Sequence, residues 1–160
     1  MAIEIYYNNQ LVSSATTYNY SVISALYAID ITGGRTSRVS ILKGGSMNIF
    51  SGGVANSTAV NGGDLYIGNG GVANSTTVNS SGYLHIFSGG VANETTINSG
   101  TMYIESGGVA NSTAVNGGYL YICSGGTATD VIWTPCVGYI DDAGGAYVTY
   151  ASKYSGVYFG

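Results

Sequence analysis

The chain has 160 residues, a net charge of −4 and only 8% charged residues, against roughly 25% in an ordinary globular protein. Four Lys plus Arg in total supply no basic patch for nucleic acid, and no apolar run approaches the about 18 residues that a membrane-spanning helix needs. Glycine is abundant, at 26 residues, yet 45% of the chain is hydrophobic, and regular placement of Val, Ile and Leu argues for a packed core over disorder.

Residues 1–31, MAIEIYYNNQLVSSATTYNYSVISALYAIDI, alternate like strands but contain no GlyGly pair. They lack the basic n-region and apolar h-region of a signal peptide. From Thr32 the sequence TGGRTSRVSILKGG begins a repeat that sharpens downstream. GlyGly pairs start at Gly52, Gly70, Gly89, Gly107 and Gly125, in steps of 18, 19, 18 and 18. A second series, half a period away, starts at Gly44, Gly62 and Gly117, with Ser81-Gly82 and Ser99-Gly100 in between. Self-similarity at this period marks a repeat architecture. The array is expected over 32–151, its last weak copy being AGGAYVTYAS from Ala143. Residues 152–160, ending in YSGVYFG, read as a truncated or capping end.

Within each unit the apolar residues fall at every second place: Met47 and Ile49, Leu65 and Ile67, Leu84 and Ile86, Met102 and Ile104, Leu120 and Ile122. Period two predicts half-buried strands. A second strand, VANSTAVN and its copies, repeats Ala55, Ala73, Ala92 and Ala110, then Thr58, Thr76, Thr95 and Thr113, then Val60, Val78, Ile97 and Val115. Val131 takes the Thr place in the fifth copy, so the threonines are expected inside, their hydroxyls bonded to one another or to backbone. Two short strands cannot bury their own apolar face; stacking the units in parallel and in register does so. The fold predicted is all-β, a parallel β-solenoid (β-helix) of 18–19-residue repeats, of either hand, rising about 4.8 Å per turn. Residues 1–31 form its N-terminal cap, with SVISALYA as a short helix over the first rung, because an open solenoid edge invites polymerisation. Glycine serves turns that need positive φ or close approach between rungs. Asn after Ala tolerates the left-handed region and builds amide ladders along the stack.

Little in the sequence suggests catalysis. His85 stands alone at a place held elsewhere by Tyr66, Tyr103 and Tyr121. Asp141-Asp142 occupies a degenerate turn, about six turns from Arg35 and Arg38. No catalytic residue, metal site or cofactor is expected, since only one regular turn carries the Asp that Gly-rich calcium repeats use. The triplets from Asn56, Asn74, Asn93 and Asn111 match the N-glycosylation pattern, but turn and core duties explain both their residues. Cys123 and Cys136 form either a disulfide pinning the irregular WTPCVG segment or two free thiols. Alternation places Asp64, Tyr66, Tyr83, His85, Thr101, Tyr103, Tyr119 and Tyr121 on one outward face. Such a face binds carbohydrate or protein, or merely stabilises the sheet through aromatic neighbours.

The unit SGG(V/T)AxxTxVNxGGxLxI resembles the strand-loop-strand passenger repeat of the AIDA-type autotransporter adhesins of Gram-negative bacteria, over about residues 32–151. The resemblance implies a non-enzymatic, surface-displayed solenoid supporting adhesion, autoaggregation or biofilm formation. It implies outer-membrane anchoring through a translocating barrel, which these residues do not contain. It further implies O-linked heptose on turn serines, added before export by a cytoplasmic heptosyltransferase; Ser51, Ser88, Ser106 and Ser124 match such acceptors, with Ser57, Ser75 and Ser112 as a second series. A host or bacterial surface receptor, or a second copy of itself, would be the remaining partner. The tyrosine content, 15 residues, departs from the family pattern. The rival readings are a fibre module stacking end to end and a β-helix carbohydrate-active enzyme.

Overall fold

A computed structural model describes residues 2–7, 10–15, 17–24, 27–79, 81–134 and 137–151. All regular elements among them are strands, in two sheets of 9 and 10 strands; none is a helix long and apolar enough to cross a membrane. Each strand of the array pairs in parallel with its equivalent one repeat later. Leu65 faces Leu84, Leu84 faces Met102 and Met102 faces Leu120; on the other sheet Val60 faces Val78 and Val78 faces Ile97. All these side chains are fully buried. The two predicted ladders therefore form one continuous core between the sheets, and the expected parallel solenoid is the fold observed.

The N-terminal region differs from expectation in two ways. Strands β1 (Ala2–Tyr7) and β2 (Gln10–Ala15) pair antiparallel, and β1 in turn lies antiparallel on β4 (Tyr27–Thr32). This hairpin covers the end of one sheet. However, β3 (Thr17–Ile23) already pairs in parallel with Arg35–Leu42, and β4 with Ser46–Phe50. The coil thus starts near Thr17 rather than Thr32, ahead of any GlyGly pair, because register needs only matched length and alternation. The expected helix over SVISALYA is not formed: its first residues complete β3 and its last two open β4, while Ala25 and Leu26 lie outside the described residues. The end expected at 152–160 also lies outside them.

Glycine acts at two places in each turn for two reasons. Gly52, Gly70, Gly89, Gly107 and Gly125 have φ between 75° and 84°, a conformation that side chains resist. The glycine that follows has ordinary φ but no room: a Cβ on Gly108 would lie 2.5 Å from the Ile86 carbonyl oxygen, and one on Gly126 2.8 Å from that of Ile104. The left-handed seat between the two halves of the second strand is not taken by Asn. It belongs to the next residue: Arg38, Ser57, Ser75, Glu94, Ser112 and Asp130 have φ of 51–58°. The asparagines do build the expected ladders, Asn74 to Asn56, Asn93 to Asn74 and Asn111 to Asn93, each at 2.9 Å. A second column runs through Asn79, Asn98 and Asn116.

The threonine column is buried as expected but not bonded as expected. Thr58, Thr76, Thr95 and Thr113 are at most 1% exposed, and none of their hydroxyls finds a hydrogen-bond partner. Equivalent places one repeat earlier and later are Val39 and Val131, both buried. An unpartnered buried hydroxyl costs about 1–3 kcal/mol, whereas valine fills the same shape without that cost. Thr95→Val should therefore raise the unfolding free energy by about 1 kcal/mol, measured by urea titration. A loss of stability would show that the hydroxyl has a partner after all. Leu84→Ala should cost about 2–5 kcal/mol in the same titration.

Candidate functional site

Two surfaces concentrate the polar and aromatic chemistry of the rod. The first is the edge formed by the SerGlyGly turns. These turns stack on one another through their own backbone: Gly52 N–H donates to Gly70 O at 2.8 Å, Gly70 to Gly89, Gly89 to Gly107 and Gly107 to Gly125, each at 2.9 Å. The register brings Ser51, Asn69, Ser88, Ser106 and Ser124 into one exposed row. From Asn69 onward their side chains lean along the rod over the glycine of the following turn, whereas over Gly70 only the Ser51 backbone comes close. A Cβ on Gly107 would meet the Ser88 Oγ at 2.7 Å, on Gly125 the Ser106 Oγ at 2.6 Å, and on Gly145 the Ser124 Oγ at 2.7 Å. Asn69 Oδ1 fills the same space over Gly89, at 2.5 Å from such a Cβ. The second serine series occupies the left-handed seat, also exposed. There the row is broken by charge, and Ser75 Oγ donates to the Glu94 carboxylate at 2.8 Å.

The second surface is the outward face of the sheet that carries the Leu ladder. Its middle column reads Asp30, Asn48, Tyr66, His85, Tyr103, Tyr121 and Asp141 in successive registers. Asn48 donates to Asp30 at 2.7 Å, and then the rings begin. Tyr66 and His85 stack at 5.4 Å, His85 and Tyr103 at 4.8 Å, Tyr103 and Tyr121 at 5.0 Å, with planes 11–23° apart. Tyr83 and Tyr119 stand beside this column, 6.4 Å from His85 and 6.1 Å from Tyr121. The rings are racked face to face along the rod and turn their edges to solvent, so their faces are already occupied by each other. Tyr139, which alternation along this face did not single out, closes the row at a tilt of 58° to Tyr121.

Electrostatics on this face follow from partial burial. His85 is pushed below its ordinary value by loss of water, against the opposing pull of Glu105 and Asp64. Burial likewise raises the Asp64 carboxyl, with His85 opposing. Burial, and then the hydrogen bond and charge of Glu105, push the Cys123 thiol up. Among the described residues Cys123 has no disulfide partner; Cys136, the other half of the bridge considered from the sequence, lies outside them. Among the described residues no group of three or more His, Cys, Asp or Glu side chains is placed to hold a metal ion.

Residues 69–118 match the family described as adhesin of bacterial autotransporter system, probable stalk. A solved structure of a TibC-catalysed, hyper-glycosylated TibA fragment is similar over 72% of this chain and 44% of that one, with 37% identity and a TM-score of 0.70. The chain thus spans less than half the length of that structure. No curated protein matches.

The His85 environment gives a pH dependence of known sign. Its folded value lies below the unfolded one of about 6.5, so the unfolded chain binds the proton more readily. The contribution of neutral His85 is complete above that value and is lost as pH falls through it. His85→Tyr, the residue of neighbouring rungs, should flatten the loss of stability between about pH 7 and pH 5, followed by thermal melts across that range.

Proposed function

We propose, for a chain whose residues 69–118 match the autotransporter adhesin stalk family, that it is a non-enzymatic passenger rod displayed at the bacterial surface and modified along its turn edge. The reading is supported by the row of exposed serines at Ser51, Ser88, Ser106 and Ser124, one per turn and interrupted only at Asn69. A transferase that recognises one strand-turn-strand unit meets the same unit again a rung later, because the turns are bonded in register. The Ser88, Ser106 and Ser124 hydroxyls lie over glycine rather than over a side chain, and all three serines are exposed. The TibA fragment is a glycosylated product of TibC; the corresponding substrate class here is an activated heptose, transferred to serine oxygen before export. Sugars along this row also supply the hydration that 8% charged residues do not. Outer-membrane anchoring through a translocator and adhesion to a surface receptor or to a second copy belong to the same reading.

The second series at Ser57, Ser75 and Ser112 is the weaker acceptor set, since Glu94 both interrupts it and engages Ser75. Co-expression with a heptosyltransferase of the kind that the family resemblance implies should add heptose masses to the intact protein, and Ser88→Ala with Ser106→Ala and Ser124→Ala should remove most of them. Asn69 should remain unmodified. An unshifted mass, or sugar unaffected by the triple variant, would overturn the assignment of this row.

A further inference from the structure

We propose that Tyr119 and Tyr139 form an oxidative cross-linking site, at which a peroxide-driven one-electron oxidation joins consecutive rungs of the rod through a dityrosine bond. The two residues are direct register partners on adjacent parallel strands. Their rings are 5.9 Å apart between centroids and inclined by 59°. They are also among the most exposed tyrosines of the face, 49% for Tyr119 and 50% for Tyr139, so an oxidant reaches both. The stacked pair Tyr103 and Tyr121 is less suited: its planes are only 11° apart, face on face, whereas a biaryl bond joins ring edges. Tyr121 is also tilted to Tyr139, at 6.2 Å and 58°, but it is less exposed than Tyr119 and its register partner is Asp141, so Tyr119 is the preferred partner and Tyr119→Phe separates the two.

The chemistry balances with hydrogen peroxide as oxidant and a haem peroxidase as its activator. Each phenol gives up one electron and one proton, leaving two phenoxyl radicals, and the peroxide is reduced to two waters. The radicals couple through a carbon ortho to each oxygen. The hydrogen on each coupled carbon then moves to its oxygen as the rings regain aromaticity. One carbon–carbon bond forms, two hydrogens are lost overall, and both phenols are restored. Holding the rings on one rigid sheet makes the second radical an intramolecular partner, with an effective concentration of order mM or higher. At micromolar protein the bond should therefore form within a chain rather than between chains.

The test is treatment of the folded protein at low micromolar concentration with peroxidase and limiting peroxide. We expect blue dityrosine fluorescence in a species that remains monomeric on denaturing gels, with a mass lower by two hydrogens. Digestion should yield one cross-linked peptide pair containing Tyr119 and Tyr139. Tyr139→Phe keeps the ring and should abolish that product. Tyr83→Phe should leave it unchanged, because Tyr83 is similarly exposed, 41%, but has Asp64 and Thr101 as register partners. A monomeric product that persists in Tyr139→Phe, an equal yield from the urea-unfolded chain, or oligomers alone would overturn the proposal.

Discussion

Parallel pairing of each residue with its own equivalent, one repeat further on, is the constraint from which the remaining features follow. A side chain in such a stack has copies of its own position directly above and below, about 4.8 Å away. Only residues that tolerate their own kind survive there. Apolar residues pack, as the Leu and Val ladders do; amides bond, as Asn56, Asn74, Asn93 and Asn111 do; rings stack. Like charges do not, and along the parallel columns charged residues are separated by neutral ones. Glu94 lies between Ser75 and Ser112, and Glu105 between Phe87 and Cys123. The low charge of the chain is thus a consequence of its topology and is not in itself a sign of disorder.

The same constraint explains what could be read from the sequence. Wherever a column repeats a residue type, alternation identified its face: Leu65 and Leu84 inward, Tyr66 and Tyr103 outward. The glycine pairs fixed the period. Legibility failed where register persists without repetition. The first turn carries no GlyGly, so Thr17–Ile23 resembled a cap although it pairs in parallel with Arg35–Leu42. The left-handed seat was assigned to Asn because Asn tolerates it best in isolation. In the structure the ladder holds Asn in extended backbone, and the strain passes to Ser57 and its equivalents.

The functional surfaces were legible as rows but not as geometries. Sequence spacing places Ser88 and Ser106 on one edge, yet it says nothing of where their hydroxyls lie. The space over Gly107 and Gly125 depends on turn backbones that only the stack defines. The tyrosine face is a similar case. Alternation exposes Tyr66, Tyr103 and Tyr121, but whether they offer faces or edges depends on rotamers selected by neighbours one rung away. Racked rings present edges, which removes the flat platform on which a sugar ring would rest. This geometry favours the serine edge over the aromatic face in the proposal of sugar attachment.

The asparagine ladders have a directional consequence. In every bond of both columns the later residue donates from Nδ2 and the earlier one accepts on Oδ1. The side-chain amides are therefore aligned head to tail, with their positive ends toward the N-terminal hairpin and their negative ends toward the last turns. Aligned amides polarise one another, so each added rung strengthens the bonds already made. The rod has an electrical sense as well as a chain sense.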